Sequence, residues 1–282
     1  MGLLKDIFRE KKKSRSILLI DIATDSVAGA YALYEKGKIP VLVYARRFPL
    51  ESRTGEPHDN ATLRAIGILG NELIREGAPI LMRATGSGNA EAILVSVGAP
   101  WQEIKIRIEN FERTNPFVFT KSIVANAIEK TSVVPHGKFL ADESIIGTIL
   151  NGYETHDPYG KRVRRASVTV LESLIEKKIS DAIISALRGL FHMKNILMIA
   201  SGSLRYQAIR FAFPHERKPD ISSLNQALES ADSCKLWIPG HPPKIVPVLA
   251  SHIVSLVRQA TVTPPDLNLL LMALYYQRLT PV

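Results

Sequence analysis

Ile17-Leu18-Leu19-Ile20-Asp21-Ile22-Ala23-Thr24-Asp25-Ser26-Val27 decides how this chain folds. The four apolar residues before Asp21 have the length of a buried strand, and Val27 to Tyr34 is a second run broken only by small residues. Ser16 to Arg46 therefore reads as strand, tight turn, strand, connector, strand. The turn carries an acid and hydroxyls directly behind a buried strand. Such a turn can hold a metal-bound phosphate, with hydroxyls and backbone N–H groups facing the oxygens and the aspartate facing the cation or its waters. Asp21, Thr24, Asp25 and Ser26 are the candidate phosphate residues. The same residue types also build an ordinary hairpin.

At 282 residues, the chain can bury a large core and is expected to form two domains. Its hydrophobic fraction of 46% and charged fraction of 22% are those of a soluble globular protein. No run reaches the ~18 apolar residues of a membrane span, and no signal peptide is evident. The single cysteine, Cys234, excludes an internal disulfide and a cysteine-rich zinc site. A cytoplasmic location is the expectation, with peripheral contact at the inner face of the cell membrane as its extension.

The net charge of +9 is concentrated in two places. Met1 to Ser16 forms a basic arm in which Leu3, Leu4, Ile7 and Phe8 share one face of a short helix, followed by Lys11, Lys12 and Lys13. These residues are candidates for a weak contact with an anionic membrane, against the alternative of a solvated arm. The second cluster, Lys161, Arg162, Arg164 and Arg165, follows a polar loop from Asn151 to Gly160 that has turn chemistry at both ends. Tyr153, Tyr159 and these four cations are candidate partner-binding residues. No nucleic-acid motif surrounds them, so a solvated hairpin or a protein contact is favoured over nucleic acid.

Periodicity supplies the remaining elements. Helices are expected over Thr62 to Arg75, from a Thr120 cap to Lys130, over Ser173 to Phe191, over Ser203 to Ala212 and over Leu267 to Leu279. Strands are expected at Ala92 to Val97, Gln102 to Phe111, Ser144 to Leu150, Ala166 to Leu171 and Asn195 to Ala200.

This order of elements resembles the first half of the bacterial actin-like FtsA and PilM family. Asp21-Ile22-Ala23-Thr24-Asp25-Ser26-Val27 is similar to that family's Asp-Ile-Gly-Thr-x-Ser-Val turn. Ala99-Pro100-Trp101 resembles the entry to its inserted subdomain. Leu150-Asn151-Gly152-Tyr153-Glu154-Thr155 and Asp157-Pro158-Tyr159-Gly160-Lys161 resemble the insert's hairpin. The resemblance covers Ile17 to Pro214. It implies an α/β fold: an actin-like, ribonuclease H-like first lobe with an inserted strand-helix-strand-strand subdomain and a reduced helical C-terminal part. The implied divisions are the arm 1–16, the lobe 17–100, the insert 101–172, the return to the lobe 173–214 and a divergent region 215–282. The resemblance also implies partners of the FtsZ-like or PilN-like kind, self-association through the insert, and ATP with magnesium as the family's ligands.

Three departures from the family pattern redirect the functional expectation. No Asp-x-Gly-Gly-x-Thr follows Phe213-Pro214-His215-Glu216, no Gly-rich adenosine-binding segment is present, and Ala23 stands in place of the turn's glycine. Such a chain retains half of a phosphate clamp, because two backbone-rich turns must hold the same phosphates. The favoured reading is thus a scaffold or adaptor without enzymatic activity or cofactor. The alternative is a residual ATP-binding or ATPase protein using Asp21 to Ser26.

Other chemistries lack a signature. No P-loop is present, and Gly86-Ser87-Gly88-Asn89 precedes a strand and reads as a loop. The seven histidines are scattered without the i, i+4 spacing of a helical zinc site, and no catalytic pattern surrounds Cys234. Trp101 reads as a packing anchor.

Overall fold

The computed structural model describes residues 14–35, 40–155, 157–212, 269, 271–273, 275 and 276. Most of the arm 1–16 and of the region 215–282 lies outside them, including Leu3, Leu4, Ile7, Phe8 and Lys11 to Lys13. The described residues divide into two compact units. One comprises 14–96, 184–197 and the residues of 269–276; the other comprises 97–183 and 198–212.

The first unit is built on the meander expected from the opening stretch. Strands β1 (Ser14–Ile22), β2 (Ser26–Glu35) and β3 (Val41–Pro49) are antiparallel neighbours. With β4 (Ala92–Val97) and β9 (Ile196–Ala200) they form a five-stranded sheet in the order β3-β2-β1-β4-β9. Ile17 to Ile20 and Ile22 are each at most 1% exposed, so β1 is buried on both faces. That explains its unbroken apolar run, which a half-solvated strand would interrupt with polar residues.

Helix α1 (His58–Glu72) lays Ala61, Ala65, Ile66 and Leu69 on the core. A π-helical turn, Leu73–Gly77, follows and leads into helix α2 (Ala78–Thr85). A methyl group at Gly77 would lie 2.7 Å from Cε2 of Tyr31 and 2.8 Å from Cδ1 of Tyr44, so only glycine lets the helix back rest on these rings. The periodic pattern does not announce α2, because Pro79 argues against a helix. Pro79 sits in the first turn, where a missing N–H leaves no intrahelical acceptor unpaired.

Tyr34 lies on the opposite face of β2 from Tyr31. Its hydroxyl donates to the carbonyl of Ala273 at 3.1 Å, and its ring lies 5.3 Å from that of Tyr276. Leu269, Leu271, Met272, Ala273 and Tyr276 are helical and buried, so the expected last helix is present among its described residues.

The second unit contains the expected strand-helix-strand-strand arrangement. Its antiparallel strands are β5 (Gln102–Val118), β6 (Lys138–Leu150), β7 (Tyr153–Glu154) and β8 (Arg162–Glu176), in the order β5-β8-β6-β7. Helix α3 (Lys121–Thr131) starts at Thr120, whose hydroxyl accepts from the N–H of Ile123 at 3.3 Å, as its sequence promises. Val124 and Ile128 pack on Phe117, Phe119, Val163, Ala166, Val168 and Val170.

Helix α5 (Ser201–Ala212) docks on the sheet through polar groups. The N–H of Gly202 donates to Oε1 of Gln102 at 3.0 Å, and Asp142 accepts from Ser203 and from Gln207.

One expectation is overturned. Ser173, Leu174 and Ile175 belong to β8, and helix α4 begins only at Lys177 (Lys177–Phe191). Leu174 pairs with Glu103 and Leu140, and Ile175 with Gln102 and Phe139. An apolar pair before a helix satisfies either periodicity, and here two flanking strands take it.

The contact at Gly77 gives a direct test. Gly77→Ala is expected to lower the unfolding free energy by about 1 to 3 kcal/mol, the usual cost of overpacking a tight core. An ordinary helical site gains about 1 kcal/mol from the same exchange. Urea unfolding of the two proteins checks the sign.

Candidate functional site

The turn after β1 is a two-residue hairpin. Ile22 pairs with Val27, and the N–H of Ala23 donates to the carbonyl of Ser26 at 2.9 Å. Thr24 and Asp25 at the tip are exposed, and the carbonyl of Asp25 accepts from the N–H of Leu50 at 2.7 Å. Ala23 keeps φ negative, so its methyl costs the backbone nothing here.

Asp21 is 1% exposed, and a carboxylate this dry needs a cation or several donors. The cation comes from β3. Asp21 stands opposite Ala28 on β2, and Ala28 stands opposite Arg47 on β3, placing all three in one row across the sheet. Ala28 carries only a methyl, and the Arg47 side chain crosses over it. Nη2 of Arg47 lies 3.2 Å from Oδ2 of Asp21, and Nη1 donates to Oγ of Ser26 at 2.7 Å. The Ser26 hydroxyl in turn donates to Oδ1 of Asp25 at 3.0 Å.

The sequence-derived residues thus come together, but around a guanidinium. Asp21 and Ser26 serve Arg47, and the Ala23 N–H serves the hairpin. A magnesium-bound phosphate needs the carboxylate to face the metal or its waters, and here that carboxylate holds a positive side chain instead. The residues present do not fit a metal–nucleotide complex in this arrangement. Among the described residues, no cluster of three or more His, Cys, Asp or Glu side chains could hold a metal. Arg47 is the residue that motif reading passes over. The strand register is its signal, because counting the meander back from Asp21 places Arg47 in the same row.

The hairpin of the second unit assembles the other candidate group. Asn151 and Gly152 turn with φ of 49° and 89°, the left-handed pair that tight hairpins favour. Oδ1 of Asn151 accepts from the N–H groups of Arg164 at 3.0 Å and Arg165 at 3.2 Å, tying the basic strand to the turn. Tyr153 beside this turn is 79% exposed. Arg162 and Arg164 are exposed, Arg165 pairs with Glu112 at 2.7 Å, and Lys161 donates to Thr155 at 3.0 Å. Tyr159 has a packing role: its ring stacks on Phe119 at 6.0 Å, with Nζ of Lys121 5.5 Å from its centre. No helix among the described residues is long and apolar enough to cross a membrane.

Removal of the Arg47 guanidinium leaves a buried carboxylate without its cation. Arg47→Ala is expected to cost about 2 kcal/mol, towards the low side for a broken pair because Arg47 keeps some solvent. The double exchange Asp21→Asn with Arg47→Met is expected to cost less than Arg47→Ala alone. Chemical unfolding of the three variants measures the coupling.

No family model and no curated protein matches this chain. Solved structures do. A Bacteroides thetaiotaomicron protein with an actin-like ATPase fold and unknown function is 10% identical, over 72% of this chain and 59% of its own, with a TM-score of 0.30. An Aquifex aeolicus member of the Ppx/GppA family is 10% identical, over 72% of this chain and 42% of its own, with a TM-score of 0.29. A PilM-PilN type IV pilus biogenesis complex matches at 12% identity, over 86% of this chain and 75% of that one, with a TM-score of 0.38. The chain thus spans about six tenths of the first of these proteins and four tenths of the second. Its fold is mixed α/β, and structures of the actin-like ATPase type are among those it is similar to.

Proposed function

We propose that this chain is a cytoplasmic scaffold or adaptor without enzymatic activity, which binds protein partners through the hairpin of its second unit. The observation that supports this reading is Arg47, whose guanidinium takes the carboxylate and hydroxyl that a nucleotide's metal and phosphate would need. Tyr153, Arg162 and Arg164 stand exposed on a hairpin held by Asn151. Exposed tyrosine and arginine on a stiff frame are the side chains that contribute most at protein interfaces. The FtsA and PilM resemblance names the kind of partner: a PilN-like pilus-assembly protein, or an FtsZ-like one in division.

Thermal unfolding with magnesium and ATP tests the first half of this reading. The expected result is no shift in midpoint; saturable stabilisation that disappears in Asp21→Ala would replace the scaffold with a nucleotide-binding protein. For the second half, Tyr153→Ala combined with Arg164→Glu is expected to weaken binding of a PilN-like or FtsZ-like peptide at least about tenfold. The variant's own unfolding midpoint is expected to stay unchanged. Equal binding by variant and parent would remove the hairpin from the interface.

A further inference from the structure

A cavity of about 290 Å³ lies within the first unit, apart from the Asp21 turn and from the hairpin. Its walls include Leu18, Tyr31, Ile74, Ala78, Phe191 and Met193, together with the segment 88–90. Leu18 and Tyr31 are paired across β1 and β2, and both are at most 2% exposed. Asn89 and His192 are exposed and stand where the lining meets solvent. Among the described residues, no carboxylate, lysine or arginine lines the space.

Several features hold this space open. Gly77 wedges against the Tyr31 ring and fixes its position. The π-helical turn supplies Ile74, and α2 begins at once with Ala78, so both helical segments contribute to the wall. Turns of this kind recur at functional sites. On the other side α4 ends at Phe191, His192 follows in the left-handed region at φ of 54°, and the chain then supplies Met193. Small residues, Ala78, Gly88 and Ala90, line a volume that larger side chains would occupy.

Tyr31 gives the cavity its polarity. Burial raises its pKa to about 12, so it remains a hydrogen-bond donor throughout the physiological range. None of the side-chain hydrogen bonds among the described residues involves its hydroxyl.

We propose that this cavity is a binding site for a small uncharged aromatic molecule bearing a hydrogen-bond acceptor that Tyr31 addresses. The buried part of the lining, Leu18, Tyr31 and Ala90, carries no charged group, so a charge placed against it would lose its water without compensation. The rings of Tyr31 and Phe191 and the sulfur of Met193 favour an aromatic body. The Tyr31 hydroxyl supplies a donor that an acceptor on the ligand would meet. The volume stands at the small end of ligand sites and suits one ring with one short substituent.

Benzamide, benzoate and toluene are the probes, read by thermal unfolding and by amide NMR shifts at residues 88–90 and 192–193. Benzamide is expected to stabilise the intact chain saturably below about 10 mM. Benzoate, which carries a charge on a similar body, is expected to do nothing. In Tyr31→Phe, benzamide binding is expected to weaken about fivefold, the worth of one net hydrogen bond, while toluene binding is unchanged. In Ala78→Leu, which fills the space, both neutral probes lose their effect. If that variant does not fold, Tyr31→Phe carries the test alone. No saturation by benzamide, equal effects of benzoate and benzamide, or equal benzamide affinity in Tyr31→Phe and parent would each overturn the proposal.

Discussion

The first unit depends on one constraint: β1 is apolar on both faces and must be covered on both. Leaving either side of Ile17 to Ile22 in water would forfeit roughly 1.5 to 3 kcal/mol for each large side chain exposed. On one face α1 and the π-helical turn supply the cover, and Gly29 and Gly77 let them approach the sheet closely. A methyl at Gly29 would lie 2.7 Å from Cδ1 of Leu73. On the other face the chain returns after a long excursion, so that the Tyr34 hydroxyl meets the carbonyl of Ala273, 239 residues away. Closing so long a loop costs little more than closing a shorter one, because the entropy grows only with the logarithm of length.

A dry strand that ends in a carboxylate creates the second requirement. Asp21 sits at the end of β1, and Arg47 satisfies it from two strands away across the methyl of Ala28. The second unit meets the same need differently. Glu172 is 5% exposed and bonds Nε of Arg107 at 2.6 Å, while the same guanidinium reaches Glu109 and Glu143. Loss of solvent pushes the Glu143 carboxyl above its ordinary range, and Arg107 pulls it the other way. Asp142 takes hydroxyl and amide donors from Ser144, Ser203 and Gln207. Charge placement thus follows burial in both units, and each of these carboxylates has partners on another element.

Much of this was legible in the residues because the signals were local. The meander follows from two apolar runs around a turn, α3 from its Thr120 cap, and the hairpin from Asn151-Gly152. Where local signals were neutral, the sequence reading failed. Ser173 to Ile175 fit a strand or a helix equally, and only pairing with Gln102–Glu103 on one side and Phe139–Leu140 on the other settles them. Pro79 marks a helix's first turn as readily as its absence, and the choice rests on the π-helical turn before it, whose Gly77 lies against Tyr31 and Tyr44. The role of Arg47 is a matter of register, which no window of adjacent residues contains.

The Asp21 turn shows what that limit means for function. Its seven residues can serve a phosphate or an ordinary hairpin, since Asp, Thr and Ser are common turn formers as well as phosphate and metal partners. The deciding residue lies twenty-six positions away, and it acts only because Ala28, the residue between, is small enough to be crossed. A bulky side chain at that position would separate Arg47 from Asp21 and leave the carboxylate to find another cation. The chemistry of the turn is therefore set by three strands in register, with the motif supplying only one side of it.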